Sequence, residues 1–367
     1  MNAVSGPVTL GMPGALSGAA PENSAALVDR FGRRATDMRL SLTDKCNLRC
    51  TYCMPADGLD WLSKDKVLTA AEILRLVRIG VDGLGVRELR LTGGEPLVRA
   101  DLVGIIAGLR SAHPLLPVSL TTNGIGLAGK AQALKDAGLT RINVSLDSLC
   151  AETFAQLTRR PFLDKVLAGI DAADAAGLGP IKINAVLMRG INDDGAADLL
   201  DWALTRGYEL RFIEQMPLDA DRGWTRDNLV TAEEIRGLLA PRFELSADPR
   251  DRDGAPAERY EVRLPGSSAL LGTLGIIASV TEPFCADCKR TRITAEGKVM
   301  SCLFSRTEVD LLALLRSEPQ TPAGDGAIAA RWQEAMWAKP KAHGMDHTGL
   351  GDADYVQPER TMSAIGG

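Results

Sequence analysis

Met38-Arg-Leu-Ser-Leu-Thr-Asp-Lys-Cys46-Asn-Leu-Arg-Cys50-Thr-Tyr-Cys53 runs a short apolar strand pattern directly into three cysteines. Met38, Leu40 and Leu42 alternate with Arg39 and Ser41, the period of a strand with one buried face. The same unit recurs downstream. Candidate strands are Met38–Leu42, Glu88–Thr92, Val118–Thr122, Arg141–Leu146, Ile181–Leu187 and Leu210–Gln215, each bounded by Gly, Pro, Asn or Asp. Helical patterns fill the gaps. Thr69-Ala-Ala-Glu72 reads as a capping box, and Ala128–Ala137, Lys165–Ala176 and Asp194–Thr205 stop at or near Gly138, Gly177 and Gly207. Six strand–helix alternations predict an α/β fold whose parallel sheet is buried by helices. The count suits an incomplete (β/α)6 barrel better than a closed eight-fold one.

Beyond residue 217 the pattern changes. Residues 217–257 are polar, with one helix at Thr231–Leu239. Strand-like runs follow at Tyr260–Leu264 and Leu270–Val280, then a hairpin turned at Ala295–Lys298, and helices at Val309–Leu315 and Ala327–Trp337. The expected organisation is a flexible extension at 1–35, the partial barrel at 36–217, a C-terminal α+β region at 218–340 and a tail at 341–367 ending in Gly366-Gly367. In a parallel β/α sheet, ligands sit outside the carboxyl ends of the strands. Cys46–Cys53, Gly93-Gly94-Glu95-Pro96, Thr121–Gly124, Ser145–Asp147 and Gln215–Pro217 all follow or end candidate strands, so they converge on one rim.

The chain has seven cysteines, and six form two triplets, Cys46-x3-Cys50-x2-Cys53 and Cys285-x2-Cys288-x13-Cys302. Cys150 stands alone and reads as a small buried hydrophobe. Structural zinc sites and four-iron clusters normally take four protein ligands. None of the three histidines, His113, His343 and His347, lies inside either triplet. Each triplet thus leaves one metal position open to a small molecule. The competing reading is two structural zincs completed by His343 and His347.

The 367 residues are 45% hydrophobic and 24% charged, the range of an ordinary globular protein. A net charge of −5 and 4% aromatics argue against a nucleic-acid partner. No segment has the pattern of a membrane span. Residues 1–21 carry no charge but are broken by Gly and Pro, unlike a signal peptide, so the cytoplasm is the expected compartment.

The triplet Cys46–Cys53, with Tyr52 before its last cysteine and Gly93-Gly94-Glu95 after the next strand, resembles the cluster loop of the radical S-adenosylmethionine (SAM) superfamily. Arg39–Cys46, Tyr52-Cys-Met-Pro55, Arg90–Pro96, Thr121–Gly124, Phe212–Pro217, Cys285-x2-Cys288-Lys-Arg-Thr-Arg292, Cys302 and the closing Gly366-Gly367 narrow the likeness. They resemble the GTP 3′,8-cyclase family of molybdenum-cofactor biosynthesis, over residues 39–367. Lys45 stands where that family more often has arginine.

The resemblance implies a radical SAM barrel, two [4Fe–4S] clusters and SAM. Cys46, Cys50 and Cys53 would hold the cluster that binds SAM; Cys285, Cys288 and Cys302 would hold a second, whose free iron meets the guanine of GTP. Tyr52, Gly94, Ser145 and Met216 match SAM-contacting positions. Arg39, Arg90, Thr121, Lys182, Arg290, Thr291 and Arg292 would contact GTP, with Arg290, Arg292, Gly366 and Gly367 required for turnover. Residues two apart on a strand share a face, so Arg290 and Arg292 can both address a triphosphate. Lys182 and Arg90 lie in apolar strands, where an unpaired charge is costly, so each calls for a partner or ligand.

The implied reaction starts with one electron from a low-potential donor. SAM's C5′–S bond breaks, and the resulting radical takes the C3′ hydrogen of GTP. The C3′ radical closes on guanine C8, and one electron and one proton complete the product. A cyclic pyranopterin monophosphate synthase would act next, and a homodimer is compatible with the pattern. The rival enzyme is a radical SAM peptide-modifying enzyme. The rival from another class is a zinc-containing nucleic-acid-binding protein.

Overall fold

The computed structural model describes residues 16, 18, 25–343 and 357–366. Their strands form one open sheet. The first six are β1 (Asp37–Ser41), β2 (Glu88–Thr92), β3 (Val118–Thr122), β4 (Arg141–Ser145), β5 (Lys182–Leu187) and β6 (Glu209–Glu214). They pair in chain order and in parallel. Each lies within one residue of its expected position.

The cause is the alternation along each strand. Met38 and Leu40, Leu89 and Leu91, Val118 and Leu120, Ile142 and Val144, Ile183 and Ala185, and Leu210 and Phe212 are buried on one face. Helices α1 (Ala70–Arg78), α2 (Leu102–Ala112), α3 (Ala131–Asp136), α4 (Ala151–Thr158), α5 (Leu163–Ala175) and α6 (Ala196–Thr205) supply the opposing apolar residues, among them Ile73, Ile105, Leu134, Val166 and Leu199. Truncating such a side chain to alanine costs about 2–5 kcal/mol. Thr69 caps α1 through the expected box with Glu72. The other face of the strands carries Arg39, Arg90, Thr121, Asn143, Asn184 and Arg211, and it lines the barrel lumen.

The C-terminal region continues this sheet. Helix α7 (Ala232–Leu239) follows β6, then β7 (Glu244–Ala247), β8 (Glu258–Arg263) and β9 (Gly272–Ile277). β9 pairs in parallel with β6, and β8 and β7 add antiparallel beyond it. At the opposite edge, β10 (Arg290–Ile293) pairs in parallel with β1, and β11 (Lys298–Met300) and β12 (Val309–Asp310) add antiparallel. The six-strand barrel is thereby widened to eight parallel strands without closing. Residues 36–217 and 218–340 share one sheet.

Three expectations are corrected. Val309–Leu315 is a strand followed by helix α8 (Leu312–Ser317), because Val309 pairs with Val299 and the Asp310 carboxylate accepts from the N–H of Leu312. Cys150 is exposed, beside Glu152 at the start of α4. Residues 25–35, assigned to a flexible extension, form a docked turn: Val28 bridges Arg34, Leu27 is buried and Arg33 pairs with buried Asp29. The remainder of that extension lies almost wholly outside the described residues. Helices α9 (Pro322–Trp337) and α10 (Met362–Ile365) complete the fold. Arg75 on α1 holds α8 and α9 in place, donating to the carbonyls of Leu315, Glu318 and Pro319 and pairing with Asp325. Among the described residues no helix is long and apolar enough to cross a membrane.

Candidate active site

All six triplet cysteines line one cavity, the barrel lumen. Topology sets them at opposite ends of it. Cys46, Cys50 and Cys53 follow the carboxyl end of β1, whereas Cys285 and Cys288 precede the amino end of β10. Because β10 runs parallel to β1, its amino end lies at the far end of the lumen. β11 runs antiparallel to β10 and brings Cys302, just past its own carboxyl end, to that far end too. The first triplet, Gly94, Ser145 and Met216 share the carboxyl rim, as their places after the strands imply, and the second triplet faces them through the barrel.

The donor chemistry fits iron–sulfur clusters. Among the described residues no three His, Cys, Asp or Glu side chains close around a single ion. A cluster in which each iron takes one cysteine does not need them to. His343 also lines the cavity, with its Nε2 hydrogen-bonded to the carbonyl of Ser279 and its ring against Phe304; His347 lies outside the described residues. Burial raises the Cys50 thiol well above its ordinary value, with further repulsion from Cys53, and burial pushes Cys53 up to about 12. Burial also acts to raise Cys288, but Lys339 and Arg290 outweigh it and bring that thiol down to about 6.

Between the two ends lies a row of cations. In register, Arg292 sits beside Arg39, and Arg39 beside Arg90. Arg290 shares their face, beside Asp37, and Arg211 lines the same cavity from β6. All five arginines are at most 9% exposed. Like charges on neighbouring strands repel. Burial, then Arg90, lowers Arg39 to about 9; burial, then Arg39, lowers Arg292 to about 9. The Nε atoms of Arg39, Arg90 and Arg211 are buried with no hydrogen-bond acceptor among the described residues. Asp37 offers Arg39 only a 3.9 Å contact. Of the carboxylates lining the cavity, Glu214 is occupied by the N–H groups of Ala232, Val280 and Thr281, and Asp147 by Tyr52 and the N–H of Val186. Such a row can neutralise a multiply charged anion.

At the carboxyl rim, Tyr52 donates its hydroxyl to Asp147 at 2.6 Å, which ties the first cysteine loop to the end of β4. Gly94 lines the cavity and has a further use. A Cβ there would meet the carbonyl oxygens of Asp44 and Lys45 at 2.4 Å, so the glycine admits the cysteine loop's own backbone. The hydrogen bonds from Gly94 N to Thr43 O and from Glu95 N to Lys45 O, both 2.7 Å, fasten the two loops together. Ser145 and Met216 line the cavity beside them.

The tail enters this cavity. Met362 and Ser363 line it, and the Ser41 hydroxyl donates to the carbonyl of Ile365 at 3.0 Å. Arg292 donates to the carbonyl of Gly366 at 2.6 Å. Gly366 takes φ 80°, and a Cβ there would press on Ser41 Oγ and Thr92 Cγ2 at 2.6 Å. Gly367 lies outside the described residues.

One expected GTP contact is placed elsewhere. Thr291 points to the opposite face from Arg290 and Arg292, and its hydroxyl accepts from Trp332 Nε1 at 2.9 Å, so its side chain does not reach the lumen. Lys182 shares the lumen face of β5 with Asn184, at the amino end beside Asn143, and pairs with Glu209 at 2.7 Å. Thr121 does line the lumen. Sequence reasoning missed Arg211 and Asn143. Fully buried Asn143 accepts from Arg211 Nη2 at 2.8 Å and its amide reaches Thr121 Oγ1 at 3.4 Å, so it aligns both. The signal for Arg211 was the one used for Arg90, a charge inside an apolar strand.

An open parallel barrel with a three-cysteine loop after its first strand defines a radical SAM protein. Residues 40–203 match the profile of the Radical SAM superfamily, and residues 208–345 match that of Molybdenum Cofactor Synthesis C. The fold is similar to that of SuiB from Streptococcus suis bound to S-adenosylmethionine, with TM-score 0.58 and 14% identity over 87% of this chain and 69% of that one. The chain is 73% identical over 347 residues to a GTP 3′,8-cyclase of Paenarthrobacter nicotinovorans, covering 93% of this chain and 97% of the relative. It is 53% identical over 352 residues to one from Mycolicibacterium smegmatis, covering 96% and 95%. The chain belongs to the GTP 3′,8-cyclase family.

Proposed function

We propose that the protein converts GTP to (8S)-3′,8-cyclo-7,8-dihydroguanosine 5′-triphosphate, the first step of molybdenum-cofactor biosynthesis. The observation that carries this is the row Arg292–Arg39–Arg90, with Arg290 and Arg211 beside it, buried between two three-cysteine cages. Cys46, Cys50 and Cys53 would hold the cluster that binds SAM, with Tyr52, Gly94, Ser145 and Met216 around it. Cys285, Cys288 and Cys302 would hold a second four-iron cluster toward the base of GTP. When bound, the first cluster and SAM supply a carbon radical able to take a hydrogen atom from the ribose.

The chain's own residues do the rest. The arginines neutralise the triphosphate in a site from which water is displaced, where each charged hydrogen bond counts for more than in solvent. Thr121, aligned by Asn143, fixes the nucleotide laterally. Lys182, held by Glu209 at the amino end of β5, adds a further positive charge toward the nucleotide. Arg292 and the tail through Gly366 close the carboxyl end around the reacting atoms, which keeps a reactive radical from other C–H bonds, and Gly367 would be required for turnover with them. The overall change, one hydrogen atom removed and one electron and proton returned, leaves product isomeric with GTP. The cyclisation, in which no group is hydrolysed or passed to a second acceptor, is proposed as a lyase-type ring closure. A low-potential donor would supply the electrons in the cytoplasm, and cyclic pyranopterin monophosphate synthase would consume the product.

The test is to incubate reconstituted protein with SAM, dithionite and GTP without oxygen. A nucleotide isomeric with GTP, separated by chromatography and distinguished by fragmentation, is expected along with 5′-deoxyadenosine. 5′-Deoxyadenosine with unchanged GTP contradicts the proposal.

A further inference from the structure

Lys339 follows α9 and is 4% exposed. Its ammonium has three N–H donors. They meet Cys288 Sγ at 3.2 Å, the Arg290 carbonyl at 2.9 Å and the Cys288 carbonyl at 3.5 Å. Among the described residues no carboxylate pairs with it. A buried ammonium without a counter-ion is costly, so the sulfur cage must supply the negative charge.

The lysine is also prevented from swinging out. Arg33 donates to the carbonyls of Pro340 at 2.6 Å and Lys341 at 2.8 Å, and to that of Cys285, inside the cage, at 2.8 Å. Buried Asp29 holds the Arg33 guanidinium at 2.5 Å. The N-terminal turn and the segment after α9 are thus stitched to the second triplet from outside, and Lys339 is the cation they press against its sulfur. The first triplet is placed differently: Cys46 Sγ accepts from neutral groups, the N–H of Leu48 at 3.5 Å and the amide of Asn123 at 3.8 Å.

We propose that Lys339 sets the reduction potential of the second cluster through a charged N–H···S bond to Cys288, favouring the reduced state. The inference rests on the proposal that this triplet holds a four-iron cluster. On one-electron reduction the cluster and its thiolates gain negative charge, and a fixed ammonium stabilises the more negative state. Hydrogen bonds to sulfur and local charge are general determinants of such potentials. Lys339 acts through Cys288 and is a positioning residue, since no contact to substrate is claimed for it.

The experiment is an EPR-monitored redox titration of the reconstituted full chain and of Lys339→Met and Lys339→Arg, with iron counted in each. Expected are about eight irons in all three. In Lys339→Met the ratio of reduced to oxidised second cluster at fixed potential should fall about tenfold, about 59 mV for one electron. The first cluster should not move, and Lys339→Arg should restore most of the change. An unaltered second-cluster midpoint in Lys339→Met with both clusters present overturns the proposal. If Lys339→Met takes up only four irons, the comparison passes to Lys339→Gln, which keeps a neutral N–H, and a wild-type midpoint there overturns it equally. Only four irons in the unaltered chain overturns the second-cluster reading itself, and this inference with it.

Discussion

Arg292 Nη1 lies 2.6 Å from the carbonyl oxygen of Gly366, so the end of the chain closes onto the arginine row of the lumen. The contact is buried and spans the two chain regions that neither local pattern would bring together. Deleting Gly366-Gly367 should leave both clusters and SAM cleavage in place but abolish cyclisation of GTP. Iron count, 5′-deoxyadenosine and product measured together check this; full cyclisation by the truncated chain refutes it.

Arg211 and Arg290 face the same lumen from different strands. A charged hydrogen bond to phosphate contributes about 1.5–3 kcal/mol, so Arg211→Ala and Arg290→Ala should each weaken GTP binding about tenfold to a hundredfold. SAM binding should change little. Equilibrium dialysis with GTP and with SAM separates the two, and equal losses for both ligands contradict the assignment. Asn143→Ala, which frees Arg211 and Thr121 without removing a charge, should weaken GTP binding by a smaller factor.

Gly94 has two backbone oxygens at 2.4 Å from where a Cβ would stand. Backbone cannot move aside as a long side chain can, so Gly94→Ala must push the β2 loop off the cysteine loop, at about 1–3 kcal/mol for such overpacking. The expected result is about four irons per chain, the second cluster alone, and no SAM cleavage. Eight irons with normal cleavage would show that the loop has room.

Glu95 is buried and accepts from Thr122 Oγ1 and from the N–H groups of Leu97 and Asn123. Burial prevails over these bonds and pushes its carboxyl from 4.5 up to about 7. The fold therefore binds this proton more tightly than the unfolded chain does. Its contribution is intact below the unfolded value and declines as pH rises through about 7. Glu95→Gln should flatten the loss of stability between about pH 5 and pH 8, read as urea midpoints of the metal-free chain. An identical slope in both proteins contradicts the burial argument.

The six barrel strands were legible because each alternates buried and lumen-facing residues, as Leu89, Arg90 and Leu91 do. The cysteine triplets, Tyr52 and the arginine pair on β10 were legible as local spacing. What was not legible depends on long-range pairing. Nothing near Arg290 announces that β10 lies parallel to β1, and that register decides that the second cage sits at the far end of the lumen. Lys182 was read correctly as a charge needing a partner, but Glu209 is on the next strand. Thr291 falls on the wrong face for a lumen contact, which the two-residue period that served Arg290 and Arg292 already implies. Lys339, after a helix end, looks locally like an ordinary dipole-compensating cation; only the fold brings it to Cys288.

In the proposed reaction the first cage directs its radical at the ribose of a nucleotide held by the arginine row. GTP carrying deuterium at C3′, incubated with the reconstituted chain, SAM and dithionite, tests this most directly. The expected result is 5′-deoxyadenosine heavier by one mass unit and a cyclised nucleotide that has lost the label. Unlabelled 5′-deoxyadenosine beside a nucleotide that keeps its deuterium would contradict it.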